Sequence, residues 1–373
     1  MDFSFTEAQT AVVDLARKLF AERLTPAALK TIEATEDRFD APLWKELAGL
    51  GLLGTAIAES DGGGGHGLLE LCALLQEAGG AVVPLPLWAT LALGALPIGK
   101  FGNAEQRARL LPAVARGEMI LTAALAEYGA EDPLRPSTTA IADGASWILN
   151  GVKTCVSAAR LSSRILVGAR TTGDALGVFL VDAKATGVKL ERQVTTAGES
   201  QYEMTLMNVR VAREDILGDP ERGIDVLAWL APRATIALVA MELGIAERVL
   251  RMTASYTTSR QQFDRPIATF QAVAQRAADA YIDVESIRVA TWQAAWRLSE
   301  ELPASAEVGV AKFFASEAGH RVVYAAQHLH AGMGFDLDYP LHRYYLLSKQ
   351  IELTLGSSST HLARIGAELA RSE

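Results

Sequence analysis

Two runs combine residue types and spacings that could do chemistry: Tyr256-Thr-Thr-Ser-Arg-Gln-Gln-Phe-Asp-Arg-Pro-Ile267 and, further along, His328-Leu-His-Ala-Gly-Met-Gly334. On a helix, Tyr256 and Arg260 lie four residues apart and share one face. Pro266 is expected to end that helix, because it has no N–H and disfavours helical geometry in the residue before it. Arg260 and Phe263 then stand at a helix end, a cation beside an aromatic ring. Such a pair suits a planar, anionic ligand such as a dinucleotide, since arginine binds phosphate bidentately and stacks on aromatic faces. Glycines near 332 would let a backbone approach the same ligand closely. The plainer alternative is a surface arginine near a helix end and an ordinary glycine turn.

Other chemistry is weakly supported. The run Asp61-Gly-Gly-Gly-Gly-His-Gly67 lacks the following Lys and Ser/Thr of a phosphate loop and no clear strand precedes it, so it reads as an inter-helix loop. Cys72 and Cys155 have neither metal-ligand nor redox spacing, no set of His, Cys, Asp and Glu has metal spacing, and no Gly-x-Ser-x-Gly elbow occurs. No metal is therefore expected. Trp88, Trp147, Trp229, Trp292 and Trp296 read as core or interface residues rather than ligand stackers.

The elements that must position these residues fall into three stretches. Residues 1–118 read as an N-terminal helical domain: Thr6 with Gln9 can form a capping box, and Val12, Val13, Leu15, Ala16, Leu19 and Phe20 follow at helical spacing. Over 119–224 short apolar runs take over, among them Ile165-Leu-Val167 and Leu176-Gly-Val-Phe-Leu-Val181, separated by Asn-Gly, Thr-Gly and similar turns; this predicts a central β domain, a barrel or paired sheets. Residues 225–373 return to helical spacing in pieces near 225–260, 268–299, 304–332 and 342–371, enough for a four-helix bundle. The predicted fold class is mostly α with a central β domain.

A chain of 373 residues, 50% hydrophobic and 21% charged, is globular, and its net charge of −9 argues against nucleic acid as a partner. The start of the chain shows no basic and apolar leader, and no uninterrupted stretch of membrane-span length is evident; prolines at 84, 86 and 97 break the apolar segment 81–98. The expectation is a cytoplasmic protein with no membrane span and free thiols.

Residues through nearly the whole chain resemble the acyl-CoA dehydrogenase family. The 256–267 segment is similar to its Arg-x-Gln-Phe-Gly-x-Pro-Ile signature, and the 328–334 run to its Gln-x-His-Gly-Gly-x-Gly. Phe101-Gly-Asn-Ala-Glu-Gln106, Leu111-Pro112, Gly117-Glu118, Leu149-Asn-Gly-Val-Lys153, Ala311-Lys-Phe-Phe-Ala315 and Tyr339-Pro-Leu-His-Arg343 follow in family order. The resemblance implies FAD as cofactor, an acyl-CoA thioester as substrate, α,β-dehydrogenation in β-oxidation, and an electron-transfer flavoprotein as redox partner. It assigns FAD contacts to Arg260, Gln262, Phe263, Ile267, His328 and Gly332, and a flavin-side hydrogen bond to Ser157. His330 falls in the same pattern.

The family's carboxylate base is what this chain lacks. The C-terminal Glu-Gly-Thr turn reads Leu355-Gly-Ser357 here, so Leu355 stands at the base position. The alternative family position, on the first bundle helix, is Ala234, twenty-six residues before Arg260, and no Asp or Glu occurs between Val226 and Met241. Glu352 is the nearest carboxylate and the candidate displaced base, although a solvated helix glutamate explains it as well; Glu242 is judged too far along the helix. Ala126-Glu-Tyr128 replaces the family's Thr-Glu-Pro, Cys155-Val-Ser157 its Trp-Ile-Thr, Asp264 its glycine and His328 its glutamine. This pattern resembles the non-catalytic subunit of bacterial heteromeric (α2β2) steroid side-chain acyl-CoA dehydrogenases, which implies a homologous catalytic partner. The competing expectations are a self-sufficient homodimer and a flavin-free scaffold.

Overall fold

The computed structural model describes residues 4–129 and 132–372. Helices α1 (Glu7–Arg23), α2 (Pro26–Glu33), α3 (Ala41–Gly49), α4 (Leu68–Gly80), α5 (Leu96–Phe101) and α6 (Ala104–Ala115) come first, with a π-helical turn at Trp88–Ala95 leading into α5. Seven strands follow: β1 (Leu121–Ala124), β2 (Thr139–Asp143), β3 (Ser146–Ser157), β4 (Arg164–Arg170), β5 (Leu176–Asp182), β6 (Val188–Gln193) and β7 (Gln201–Ala212). The long helix α7 (Gly223–Ser259), a hairpin of β8 (Gln261–Gln262) and β9 (Arg265–Pro266), and helices α8 (Gln271–Ser299), α9 (Ser305–His330), α10 (Leu341–Leu353) and α11 (Ser358–Ser372) complete it. The helical, sheet, helical order expected from the sequence is borne out.

Two compact units emerge, each drawing on separated stretches of chain. One holds residues 32–71 and 84–234 and contains the sheet. Its strands run β1-β4-β2-β3-β7-β6, with β5 paired to β4. β5 reads as a continuous apolar run because Leu176–Val181 is buried on both faces. Phe179, Leu149, Tyr202, Met204 and Val209 form its core. β3 and β7 slip register between Leu149 and Gly151, where a Cβ at Gly151 would lie 2.5 Å from Thr138 Oγ1, so only glycine fits. α6 starts on a capping box of Asn103 and Gln106, and the Gln106 amide also donates to the Glu214 and Ile216 carbonyls.

The other unit holds residues 1–31, 72–83 and 235–373. The predicted capping box opens α1: Gln9 N–H donates to Thr6 Oγ1 at 3.2 Å and Thr6 N–H to Gln9 Oε1 at 3.0 Å. A Cβ on Gly79 would lie 2.0 Å from the Met241 carbonyl oxygen, and one on Gly244 1.8 Å from that of Gln76, so α4 and α7 meet backbone to backbone. One expectation needs correction. The piece read as one helix over 342–371 is two, because Leu355 (φ 60°) and Gly356 (φ 99°) adopt left-handed geometry and turn the chain between α10 and α11. Helix α7 is, by length and composition, apolar enough to cross a membrane, although 61% of its most apolar window is buried within the protein; Pro232 inside it does not end the helix.

Candidate functional site

α7 stops at Ser259, before Pro266, so the expected placement of Arg260 and Phe263 at a proline-terminated helix end is corrected: both belong to a hairpin that follows the helix. Gln261 pairs with Pro266 and Gln262 with Arg265, and Ile267 N–H donates to the Arg260 carbonyl at 2.9 Å. Phe263 (φ 53°) and Asp264 (φ 60°) form the tip, both left-handed as a tight two-residue hairpin turn demands. Asp tolerates that geometry better than phenylalanine does, which accounts for Asp264 at a glycine position. Asp264 is exposed, so its charge is solvated. Phe263 is 88% exposed and meets Phe270 edge-on at 6.1 Å. The cation over a ring is Arg265 above Phe270, at 4.2 Å. Arg260 and Gln262 are exposed and Ile267 is half-buried.

Behind the hairpin sits an aromatic stack. Tyr256 lies flat on His330, centroids 4.3 Å apart, and Tyr339 approaches both. His330 Nδ1 is 2.8 Å from the Ala326 carbonyl, which only accepts, so Nδ1 carries the proton and Nε2 accepts from the Tyr339 hydroxyl at 3.0 Å. Burial lowers the His330 pKa and keeps the ring neutral. His328 is exposed in the last turn of α9, and its carbonyl accepts the Ala331 N–H. A Cβ on Gly332 would meet nothing within 4 Å. The chain's own packing does not require that glycine, and an open backbone there leaves room for a ligand.

The corner where a base is sought is apolar and tightly held. Leu355 is half-buried, and its carbonyl accepts from His361 Nε2 at 3.0 Å. Burial pushes His361 down to about 4. Because the folded pKa lies below the unfolded one, His361 supports the fold above about 6.5 and that support is lost as pH falls towards about 4, at a cost of about 3 kcal/mol. Chemical denaturation at both pH values should show His361→Gln losing this acid sensitivity. Glu352 points to Lys349 in a close ion pair, with His320 3.8 Å away. Ala234, the other candidate position, is fully buried and its carbonyl accepts from the Trp88 indole at 2.9 Å.

In the sheet-bearing unit, Ser157 is buried and donates its hydroxyl proton to Glu199 at 2.6 Å. The Cys155 N–H, in a left-handed bulge, donates to Gln193 Oε1 at 2.8 Å, and the Gln193 amide donates to Thr154 Oγ1 and the Tyr128 hydroxyl. The Cys155 N–H and the Ser157 hydroxyl are therefore both engaged by side chains of this chain. Arg260, Phe263 and Gly332 offer an exposed cation, an exposed ring and an open backbone, the chemistry a diphosphate and an adenosine would need. In the sheet-bearing unit Glu127 and Lys153 form a buried ion pair at 2.6 Å, with side-chain exposures of 4% and 1%. Burial alone would raise the Glu127 carboxyl, but the Lys153 ammonium and the Thr138 and Ser137 donors outweigh it and hold it at about 2.

Sequence reasoning passed over Glu242. It is fully buried in α7 and burial pushes its carboxyl up to about 8. A lone acid inside an apolar helical run is the signal that was there to use.

Comparison with known proteins then fixes the family. The sequence patterns of the acyl-CoA dehydrogenase N-terminal, middle and C-terminal domains match residues 6–118, 122–210 and 221–370. The chain is 38% identical to acyl-CoA dehydrogenase FadE27 of Mycobacterium tuberculosis over 99% of each chain. Among solved structures it is similar to the ChsE4-ChsE5 complex from Mycobacterium tuberculosis, at 38% identity, 99% of each chain and a TM-score of 0.94. It is also similar to a variant of the Tcur3481-Tcur3483 steroid ACAD, at 44% identity, 98% of each chain and a TM-score of 0.92. With the domain order, the hairpin signature and these full-length likenesses in agreement, the chain belongs to the acyl-CoA dehydrogenase family of flavin oxidoreductases.

Proposed function

We propose that this chain is the subunit of a heteromeric FAD-dependent acyl-CoA dehydrogenase that lacks a catalytic base and completes the FAD site of a homologous, glutamate-bearing partner. The observation that carries this reading is that both family base positions are apolar, Leu355 and Ala234, while Glu352 is engaged by Lys349. Abstraction of a weakly acidic Cα proton needs an available carboxylate close to it. Bound FAD supplies the hydride acceptor for the β-carbon. Arg260 binds diphosphate, Phe263 covers the adenosine, and Gln262, Ile267, His328 and Gly332 shape the same contact for FAD held mainly by the partner. Likeness to two structures whose names pair two chains supports a heteromer. The name of one of them, a steroid ACAD, supports a steroid acyl-CoA as substrate, and the family supports an electron-transfer flavoprotein as redox partner and a cytoplasmic setting.

The visible spectrum tests this. The chain purified alone should be nearly colourless and should turn yellow when co-produced with its partner. A yellow chain that bleaches with an acyl-CoA would establish the self-sufficient alternative, and a chain that no partner makes yellow would establish the flavin-free scaffold. Replacing Arg260 with alanine should lower the flavin content of the assembled protein at least severalfold, since a charge-assisted pair with phosphate contributes roughly 1.5–3 kcal/mol. Unchanged FAD occupancy, read by absorbance after denaturation, would remove Arg260 from the site.

A further inference from the structure

Glu242 in α7 has one hydrogen bond, from the neutral Ser348 hydroxyl of α10 to Oε1 at 2.7 Å. Its Oε2 is buried with no donor. Gly319 of α9 makes room for it, since a Cβ there would lie 2.4 Å from Oε1. The nearby cation does not reach it with a hydrogen bond. Lys312 Nζ instead donates to the Ile351 carbonyl at 2.6 Å, the Glu352 carbonyl at 3.0 Å and Ser316 Oγ at 3.3 Å, which uses all three of its protons. Lys312 thereby caps the C-terminal end of α10, where helix carbonyls lack partners and a cation is favoured. Leu355 turns the chain immediately afterwards, held by His361. The other charges acting on Glu242 are Glu352 and Lys349 of α10, which are paired with each other. On α4, Glu77 is committed to Arg17.

We infer that Glu242 is a proton-linked positioning residue: as the neutral acid it leaves Lys312 on the Ile351 and Glu352 carbonyls, and as the carboxylate it draws Lys312 off them and loosens the Leu355 corner. A bare carboxylate with one neutral donor in a fully buried site is costly, so the acid form belongs to the capped state. Burial lowers the Lys312 ammonium to about 8, but an ionised Glu242 raises it, so deprotonation of Glu242 keeps Lys312 charged and leaves it with two competing claims, two carbonyl dipoles or one full charge, and the full charge is the stronger acceptor. The sign follows from linkage. The folded state binds this proton more tightly than the unfolded chain, so the stability it confers is lost as pH rises from the ordinary glutamate range through about 8.

The test uses the full chain and Glu242→Gln, an isostere of the acid that cannot ionise, with Glu242→Met as the second variant should glutamine disturb folding. An infrared difference spectrum between the native chain and the variant at pH about 6 should show a protonated carboxyl band. Amide exchange of residues 353–357, corrected for intrinsic rates and expressed as native over variant, should rise about tenfold between pH about 6 and about 9. Absence of the acid band, or an exchange ratio that stays constant with pH, overturns the assignment.

Discussion

The purified chain, assayed alone with an acyl-CoA and an electron acceptor, should be slower than an ordinary acyl-CoA dehydrogenase by at least the general-base contribution, on the order of 10² to 10⁴. Leu355 and Ala234 cannot accept a proton, and Glu352 is neutralised by Lys349. Installing glutamate at position 355 should not restore an ordinary rate. The Leu355 backbone is left-handed and pinned through its carbonyl by His361, and Ser157 and the Cys155 N–H are already bonded to Glu199 and Gln193. Activity should appear on mixing with a glutamate-bearing homologue.

The second large effect concerns stability. Replacing Lys153 with methionine should destabilise the sheet-bearing unit by about 3–5 kcal/mol, because it strands the Glu127 carboxylate in a buried site. The Glu127→Ala change should cost as much or more, since it leaves the Lys153 charge uncompensated, with only the Gly168 carbonyl to accept from it, and strands the Ser137 and Thr138 N–H groups together. Substituting both partners with apolar residues should recover part of the loss from the ion pair but not the loss from those N–H groups. Glu127 is held near 2, so its support is present above the usual glutamate range and disappears as pH falls towards about 2. Urea unfolding of the four proteins at neutral pH separates these outcomes.

Local patterns were legible in the sequence and long-range ones were not. The capping box of Thr6 and Gln9, the helical spacing after it and the unbroken apolar run of β5 each depend on residues close together in the chain. Their predicted structure stands. The hairpin after α7 was misread because Pro266 looked like a helix terminator, whereas Phe263 and Asp264 adopt a two-residue turn that such residue types seldom signal. The break at Leu355 escaped for a related reason: a leucine in left-handed geometry is imposed by tertiary contacts, here the His361 bond, and not by propensity. The absent base was readable because it is a matter of residue identity. The engagement of Ser157, Cys155 and Glu352 was not, because Glu199, Gln193 and Lys349 reach them only in the folded chain.

Anaerobic flavin reduction by an acyl-CoA, followed at the flavin absorbance, tests the division of labour between two subunits most directly. The assembly of this chain with its glutamate-bearing partner should bleach, the same assembly with the partner's glutamate removed should not, and this chain alone should not. Bleaching by this chain alone at an ordinary enzyme rate, on the order of 1–10³ per second, would contradict the account and make Glu352 the first residue to replace.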